Sequence, residues 1–411
     1  MTTEPLAETA SADLPAFPHP RAAGCPFGVS EEMRALPDRG PVSRVRSWGG
    51  STPWVVTSHA EQKALLGDAR LSADFSHAGF PSPVDPAKAR AGHTDMSFVG
   101  MDDPEHARLR RMVSGVFTIK RIEAMRPVVQ KMTDDFLTAM LEGPRPADLV
   151  RALALPLPSL VISELLGVPY EDHDFFQTNS KTIVSSTAEA EARQAAHTHL
   201  SDYLDDLVGK KIAEPRDDLL SKLGERIEAG EITRRDASAM GVLLLLGGHE
   251  TTANMISLGT LLLLEHPEQL ATIRDTDDPK VVADAVEELL RYLSIVHLGR
   301  RRTALEDIEI AGETIGAGEG VILLSELANR DAGVFPDPDV LDITRNARPH
   351  LAFGAGTHHC VGQPLARMEL QVVYRTLFRR IPTLRAAVGM DEVPFKHDAV
   401  IYGIHELPVT W

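Results

Sequence analysis

One cysteine constrains this chain more than any other residue. Cys360 lies in the run Phe353-Gly354-Ala355-Gly356-Thr357-His358-His359-Cys360-Val361-Gly362, while the other cysteine, Cys25, sits far away in a Pro/Gly-rich N-terminal stretch. Glycines at 354, 356 and 362 permit a left-handed backbone and let a bulky flat ligand come close. Phe353 is an aromatic that can pack beneath such a ligand. Pro364 to Arg380 reads as a helix, with its proline in the first turn, where the missing N–H costs little. The sulfur therefore falls at a helix N-terminus, where free N–H groups and the dipole favour a thiolate. Taken singly, a free cysteine is more often a small buried hydrophobe. A zinc site using His358, His359 and Cys360 needs a second ligand pair at short spacing, and the sequence has no second Cys-rich pair. A Cys/His nucleophile is the third reading, with no protease signature beside it.

A thiolate at the mouth of a glycine-rich loop is what a haem iron needs when O–O cleavage is its task. The segment resembles the cysteine loop of the cytochromes P-450, F-x-x-G-x-x-x-C-x-G. Phe353, Gly356, Cys360 and Gly362 fill every fixed place, and Gly354 and His358 match the bacterial form. The resemblance implies a mainly α fold with small β-sheets, built as a single large domain. Haem b (iron protoporphyrin IX) would be buried between an oxygen-side helix and a cysteine-side helix. Cys360 would be the axial iron ligand, with Phe353 and Gly362 forming part of the haem's bed.

Asp236 to about Leu264 reads as a long apolar helix with a polar island, Gly247-Gly248-His249-Glu250-Thr251-Thr252, at its centre. Glycine and threonine are poor helix-interior residues, so something other than local stability favours them. The island resembles the family's [A/G]-G-x-[D/E]-T-[T/S]. There the small residues, Gly248 among them, let the helix pass close over the porphyrin. By the same resemblance Thr251 is the alcohol beside the oxygen and Glu250 the acid of a proton relay, opening toward solvent. A hydroxyl suits the task because it both donates and accepts. Standing alone, the island could equally be the wet face of a core helix.

Glu288-Leu289-Leu290-Arg291 is similar to the family's E-x-x-R, whose charges meet at i and i+3 on one helix. Arg345 matches the third member of that lock. Haem carries two propionates, and buried carboxylates must be paired. His106 and Arg110 match the family's H-x-x-x-R, Arg302 the arginine after the E-x-x-R helix, and His358 a further propionate contact. The neighbours Arg300 and Arg301 create a one-residue ambiguity in the choice of Arg302, which the following Ala304-Leu305-Glu306-Asp307 settles in part. Each of these, read alone, is an ordinary surface charge.

Organisation is read from periodicity and breakers. Residues 1–30 are expected to be loosely ordered and 31–411 to form one haem domain. Val42–Ser47 and Trp54–Ser58 alternate as a hairpin, His59–Leu66 is a short helix, and residues 76–100 form a long loop. Apolar residues recur at helical spacing in Ile122–Leu141, Ala152–Leu166, Leu200–Ile212 and Lys280–Leu293. Ile308 onward is a strand-and-turn region, 328–350 is irregular, and the tail Ala399–Thr410 ends in strands.

With 411 residues and 43% hydrophobic content the chain can bury a large core. Its 42 basic and 59 acidic residues give a net charge of −17, which argues against a nucleic-acid partner. The first twenty residues lack a basic and an apolar signal region, and no run of 18 apolar residues occurs. No membrane anchor is therefore expected, and two remote cysteines suit a reducing cytoplasm. The expected state is a monomer. The chain carries no flavin or nicotinamide motif, so electrons must come from outside. The resemblance implies a ferredoxin with an NAD(P)H-dependent reductase, docking near Arg108, Arg111, Arg367 and Arg375.

What the resemblance implies is O2-dependent monooxygenation of an apolar, medium-to-large substrate: a macrolide, polyketide, statin-like lactone or xenobiotic. The pocket is expected from Phe98, Leu243, Leu244, Gly247, Ile295, Val296, Ile401 and Tyr402, with lids at 76–98 and 170–195. Two rival readings stay open. One is a peroxide-using or bond-coupling member of the family, and the other is a haem sensor or carrier without turnover.

Overall fold

The fold is seen in a computed structural model that describes all residues except 1–13, 20, 22–24, 48–49, 82–96, 185–187 and 398. Its helices are α1 (His59–Leu66), α2 (Glu105–Ser114), α3 (Ile119–Glu142), α4 (Pro156–Leu166), α5 (His173–Val184), α6 (Ala190–Ala213), α7 (Leu219–Glu228), α8 (Arg234–Leu264), α9 (Pro267–Asp275), α10 (Pro279–Leu293) and α11 (Gln363–Arg380). The helices expected from periodicity are present. The helix expected over Ala152–Leu166 begins later, at Pro156, because Val150–Ala154 forms a π-helical turn before it.

The centre is α8. A capping box starts it: Asp236 N–H donates to Thr233 Oγ1 at 3.1 Å, and Thr233 N–H donates to Asp236 Oδ2 at 2.9 Å. From Ala237 to Leu263 nearly every residue is buried, so this helix is apolar all round, as a core helix must be. α4, α6, α9, α10 and α11 pack around it. Its approach to α11 is close enough to exclude a side chain. A Cβ on Gly259 would lie 2.0 Å from the Tyr374 hydroxyl, which donates to Met255 O.

The strands lie to one side. β1 (Val42–Arg44), β2 (Trp54–Val56), β3 (Leu71–Ser72), β4 (Arg300–Ala304) and β5 (Gly320–Leu323) form one sheet in the order β1-β2-β5-β4-β3. β1 and β2 make the expected antiparallel pair. Ile308–Ile310 and Glu313–Ile315 form a separate hairpin whose central residues, Ala311 and Gly312, both have positive φ (52° and 83°). That backbone matches the right-handed twist of the flanking strands. In the tail only Pro408–Thr410 is a strand, joined with Arg385–Ala386 and Ala147–Asp148, and Phe395 bridges Ile404.

The N-terminal segment differs from its expectation. Ala16–Phe17 pairs in parallel with Arg46–Ser47. Arg21 is buried and donates to Leu293 O (2.7 Å) and Ser294 O (3.0 Å). Part of the stretch expected to be loose is thus tied to the end of α10. Residues 1–13, read for targeting signals, and 82–96 and 185–187 of the expected lids lie outside the described residues.

Gly259→Ala should destabilise the protein by about 2 kcal/mol, because the fully buried Tyr374 ring has nowhere to retreat. Thermal melting would show this as a lowered Tm with the helix content unchanged.

Candidate active site

The cysteine loop is closed by its own backbone. Cys360 N–H donates to Phe353 O at 3.0 Å, and Leu351 N–H donates to Asn329 Oδ1 at 2.7 Å. Gly354 and Gly356 have φ of +73° and +69°, and a Cβ on Gly356 would lie 2.1 Å from Leu66 O. Only glycine can turn the chain there against the end of α1. Gly362 is the N-cap of α11. The Phe353 ring does not reach the cavity. It carries the Arg367 guanidinium at 4.5 Å and meets the His350 ring at 5.9 Å.

Cys360 opens onto a cavity of about 260 Å³. Burial by the surrounding protein pushes its thiol above the ordinary value, although the Gly362 amide and Arg300, Arg110 and Arg367 pull the other way. The helix N-terminus expected to favour a thiolate is thus outweighed by desolvation. α8 forms the facing wall with Leu243, Leu244, Gly247, Gly248, Thr251 and Thr252. Gly247 is open, with nothing within 4 Å of an added Cβ, whereas Gly248 is needed for packing, since a Cβ would touch Ile162 at 3.0 Å. The Thr251 hydroxyl donates to Gly247 O at 2.8 Å.

Glu250 does not open toward solvent. It is buried, 2.5 Å from Lys396 Nζ, and does not line the cavity. The expectation failed because the partner comes from the C-terminal tail, where a lone lysine carries no signal.

One end of the site is cationic. Asp102 accepts from Ala73 N–H (2.8 Å) and Ser72 Oγ (2.5 Å), and so ties the start of α2 to β3, which pairs with β4. That pairing brings His106 and Arg110 of α2 to Arg302 of β4. The His106 and His358 rings stack at 4.1 Å, and His106 Nε2 is buried without a partner. Burial, Arg302, His106 and Arg110 depress His358 to about 3. Strand alternation separates Arg301 from the other two arginines. Arg301 faces Phe80 and Pro81, while Arg300, on the same face as Arg302, donates to Ala352 O at 2.6 Å and Ser325 Oγ at 2.5 Å.

Of the expected pocket residues, Phe98, Leu243, Leu244 and Gly247 line the cavity, and Ile295, Val296, Ile401 and Tyr402 do not. Tyr402 is fully buried, stacked on Phe395 at 6.0 Å with the Arg21 guanidinium over its ring at 4.2 Å, and its N–H donates to Ile295 O. The tail therefore turns its aromatic inward instead of toward the site. Missed on the wall were Val99, Phe117, Ile162, Leu365, Ala366 and Glu369. The last three share the face of α11 that follows Cys360, which helical spacing could have indicated. Glu369 is buried with one oxygen unpartnered, and desolvation holds its carboxyl well above the usual range.

A cytochrome P450 (written P-450 here) family model matches residues 211–383. The chain is 55% identical over 402 residues to cytochrome P-450 GfsF of Streptomyces halstedii, covering 97% of each. The crystal structure of GfsF superposes with a TM-score of 0.91, covering 97% of this chain and 100% of that one. MoxA from Nonomuraea recticatena follows at 50% identity and TM-score 0.88, covering 96% and 98%. A mycinamicin VIII methyl hydroxylase from Micromonospora griseorubida, bound to mycinamicin VIII, follows at 39% and 0.89, covering 97% and 100%. The chain belongs to the cytochrome P-450 family.

As a cytochrome P-450 it is a haem b oxidoreductase of the monooxygenase class, served by redox partners and acting on hydrophobic compounds. The residues present fit that cofactor. A sulfur faces the cavity, and a bound metal deprotonates a coordinating thiol outright. Arg110, Arg302, His358 and the unpartnered His106 Nε2 gather where two carboxylates need donors. Among the described residues, no helix is long and apolar enough to cross a membrane.

Two neighbouring acids on α10 brace the site. Glu288 takes Arg291 at 2.7 and 2.8 Å and Arg345 at 3.3 Å, which is the lock expected from E-x-x-R. Glu287 takes Arg367 at 2.5 and 2.8 Å and His350 at 3.1 Å. Arg367, a candidate docking residue in the sequence, is thus committed to an internal pair. Burial alone would raise the Glu287 carboxyl, but hydrogen bonds from His350 and Arg367 and the Arg367 charge lower it from 4.5 to about 2. A depressed folded-state value contributes stability above the unfolded value and loses it as pH falls. The loss should therefore run from about 4.5 down to about 2, amounting to something on the order of 3 kcal/mol. Melting temperatures against pH should show Glu287→Gln less stable at neutral pH and flatter across that acid range.

Proposed function

We propose that this cytochrome P-450 is an O2-dependent hydroxylase that inserts one oxygen atom into a C–H bond of an apolar, medium-to-large substrate. The observation that carries the reading is that Cys360 and Thr251 line one cavity with a mostly apolar wall, Phe98, Phe117, Ile162, Leu243, Leu244 and Leu365 among it, and a cationic end at Arg110 and His358. Haem, when bound, supplies the oxygen chemistry, and the protein supplies orientation and electrostatics. Cys360 would hold the iron through its sulfur. Arg110, Arg302, His106 and His358 hold the propionates, while Gly248, Gly362 and Phe353 shape the bed and its loop. Thr251 keeps a hydroxyl at the oxygen-side wall, and Glu250, one residue earlier, is the acid of the proton relay.

The substrate class is a macrolide, polyketide, statin-like lactone or xenobiotic. The apolar walls support this, and so does the relative crystallised with mycinamicin VIII. Electrons come from a ferredoxin with its NAD(P)H-dependent reductase, consistent with the absence of a flavin or nicotinamide motif in the sequence. The protein works as a monomer in the cytoplasm.

Reduction of the purified protein under carbon monoxide should give a strongly red-shifted main absorption band that Cys360→Ala abolishes. A band that survives this substitution would refute Cys360 as the ligand. Thr251→Ala should keep haem and substrate binding but divert electrons from NAD(P)H to hydrogen peroxide, measured as product per NAD(P)H consumed. Full turnover on hydrogen peroxide alone would favour the peroxide-using reading, and no NADH consumption with any surrogate donor the carrier reading.

A further inference from the structure

A buried carboxylate is costly unless it is paired, and Glu250 is only 8% exposed. Its partner arrives from 146 residues away. Lys396 Nζ lies 2.5 Å from Glu250 Oε1 and donates to Asn254 Oδ1 at 2.9 Å, while Asn254 Nδ2 lies 3.4 Å from the same Glu250 oxygen. Lys396 is itself 8% exposed. Its backbone is fixed as well: Lys396 N–H donates to Gly403 O at 2.9 Å, and the neighbouring Phe395 bridges Ile404. Gly403 sits so close to α8 that a Cβ there would lie 2.1 Å from Asn254 Oδ1. The tail turn is thus seated on the helix at backbone level, directly over the acid.

Successive residues on a helix point about 100° apart. Thr251 therefore faces the cavity while Glu250 faces the tail. His249, on the same helix, is the other titratable group beside it and is buried with Nε2 unpartnered. Among the described residues, Lys396 is the cation within ion-pairing distance of Glu250.

We propose that Lys396 is a positioning residue for oxygen-side proton delivery, pinning the Glu250 carboxyl in one rotamer on the tail side of α8, one residue from the cavity-facing Thr251. The inference rests on the relay reading of Glu250 and Thr251 above. Burial alone would push Glu250 up, and the Lys396 charge and hydrogen bond, with His249 and Asn254, bring it below its ordinary value. Without the cation, the acid would take up a proton and lose its anchor.

The test uses the holoenzyme with a surrogate ferredoxin and reductase, comparing wild type, Lys396→Met, Lys396→Arg, Glu250→Gln and the double variant Glu250→Gln/Lys396→Met. Infrared difference spectroscopy at neutral pH should reveal, beyond the protonated Glu369 common to all the proteins, one additional carboxylic-acid stretch in Lys396→Met that is absent from wild type, from Lys396→Arg and from the double variant. Product per NAD(P)H should fall several-fold in Lys396→Met with matching hydrogen peroxide, recover mostly in Lys396→Arg, and fall no further when Lys396→Met is added to Glu250→Gln. Wild-type coupling in Lys396→Met overturns the proposal, as does an additional loss in the double variant. If Lys396→Met fails to retain haem, Lys396→Arg and the double variant, which buries no lone charge, decide it by the same comparisons. A wild-type enzyme that never couples would sink the relay reading instead, while the infrared band still reports whether Lys396 governs Glu250.

Discussion

Two adjacent carboxylates at the end of one helix hold the cysteine side together. Glu288 and Arg291 are completely buried and doubly hydrogen-bonded, and Arg291 also donates to Asn329 O (2.8 Å) and Pro338 O (2.9 Å). An irregular segment has no ladder of its own, so its carbonyls must find donors elsewhere. Arg291 and Arg345 supply them. Glu287 reaches the other way, to Arg367 on α11 and His350 at the start of the cysteine loop. One turn of α10 thereby fixes both the approach to the loop and the helix that leaves it. Buried pairs of this kind add little net stability over an apolar core, but losing one partner strands a charge, typically at 3–5 kcal/mol. Their effect here is to leave the loop a single conformation.

The same region reverses the charge of the molecule. The chain as a whole carries −17, yet Arg110, Arg300 and Arg367 converge on Cys360. Arg300 is half-buried, and its guanidinium is spent on Ser325 and Ala352 of the loop's surroundings. Arg110 likewise donates to His359 O. These cations favour an anionic sulfur against the desolvation that opposes it, and Arg110 among them also lines one end of the cavity. Net charge described the surface of this protein and said nothing of the field at its centre.

What the sequence made legible was local and dense. The ten-residue cysteine loop, the polar island in α8 and the E-x-x-R with Arg345 each concentrate their signal in a few positions, and the structure brings their members together. Long-range partners were illegible for a physical reason: nothing in a tail lysine or an N-terminal arginine marks what it will meet. Arg21 falls within the 1–30 stretch expected to be loose, yet it is buried and 3.2 Å from Glu326. Tyr402 was placed at the cavity by position alone, whereas the tail buries it on Phe395. Along β4 alternate residues share a face, which sets Arg301 apart from Arg300 and Arg302, and Arg300 differs from Arg302 in being hydrogen-bonded to Ser325 and Ala352.

The oxygen-side helix shows how much arithmetic could have been done beforehand. An all-round apolar helix has no amphipathic stripe to read, but one anchored residue defines its faces. Stepping back from Thr251 by four gives Gly247 and Leu243, and from Thr252 gives Gly248 and Leu244. These six are the α8 residues on the cavity wall. Glu250 belongs to neither series, so its carboxyl had to point elsewhere, and a buried acid pointing elsewhere needed a cation that the flanking sequence does not contain. The motif thus encodes two directions at once: an alcohol turned to the cavity and an acid turned to the tail. Joining them in one reaction requires the tail to be part of the site, which is why Lys396 and the close seat of Gly403 on Asn254 matter as much as the motif itself.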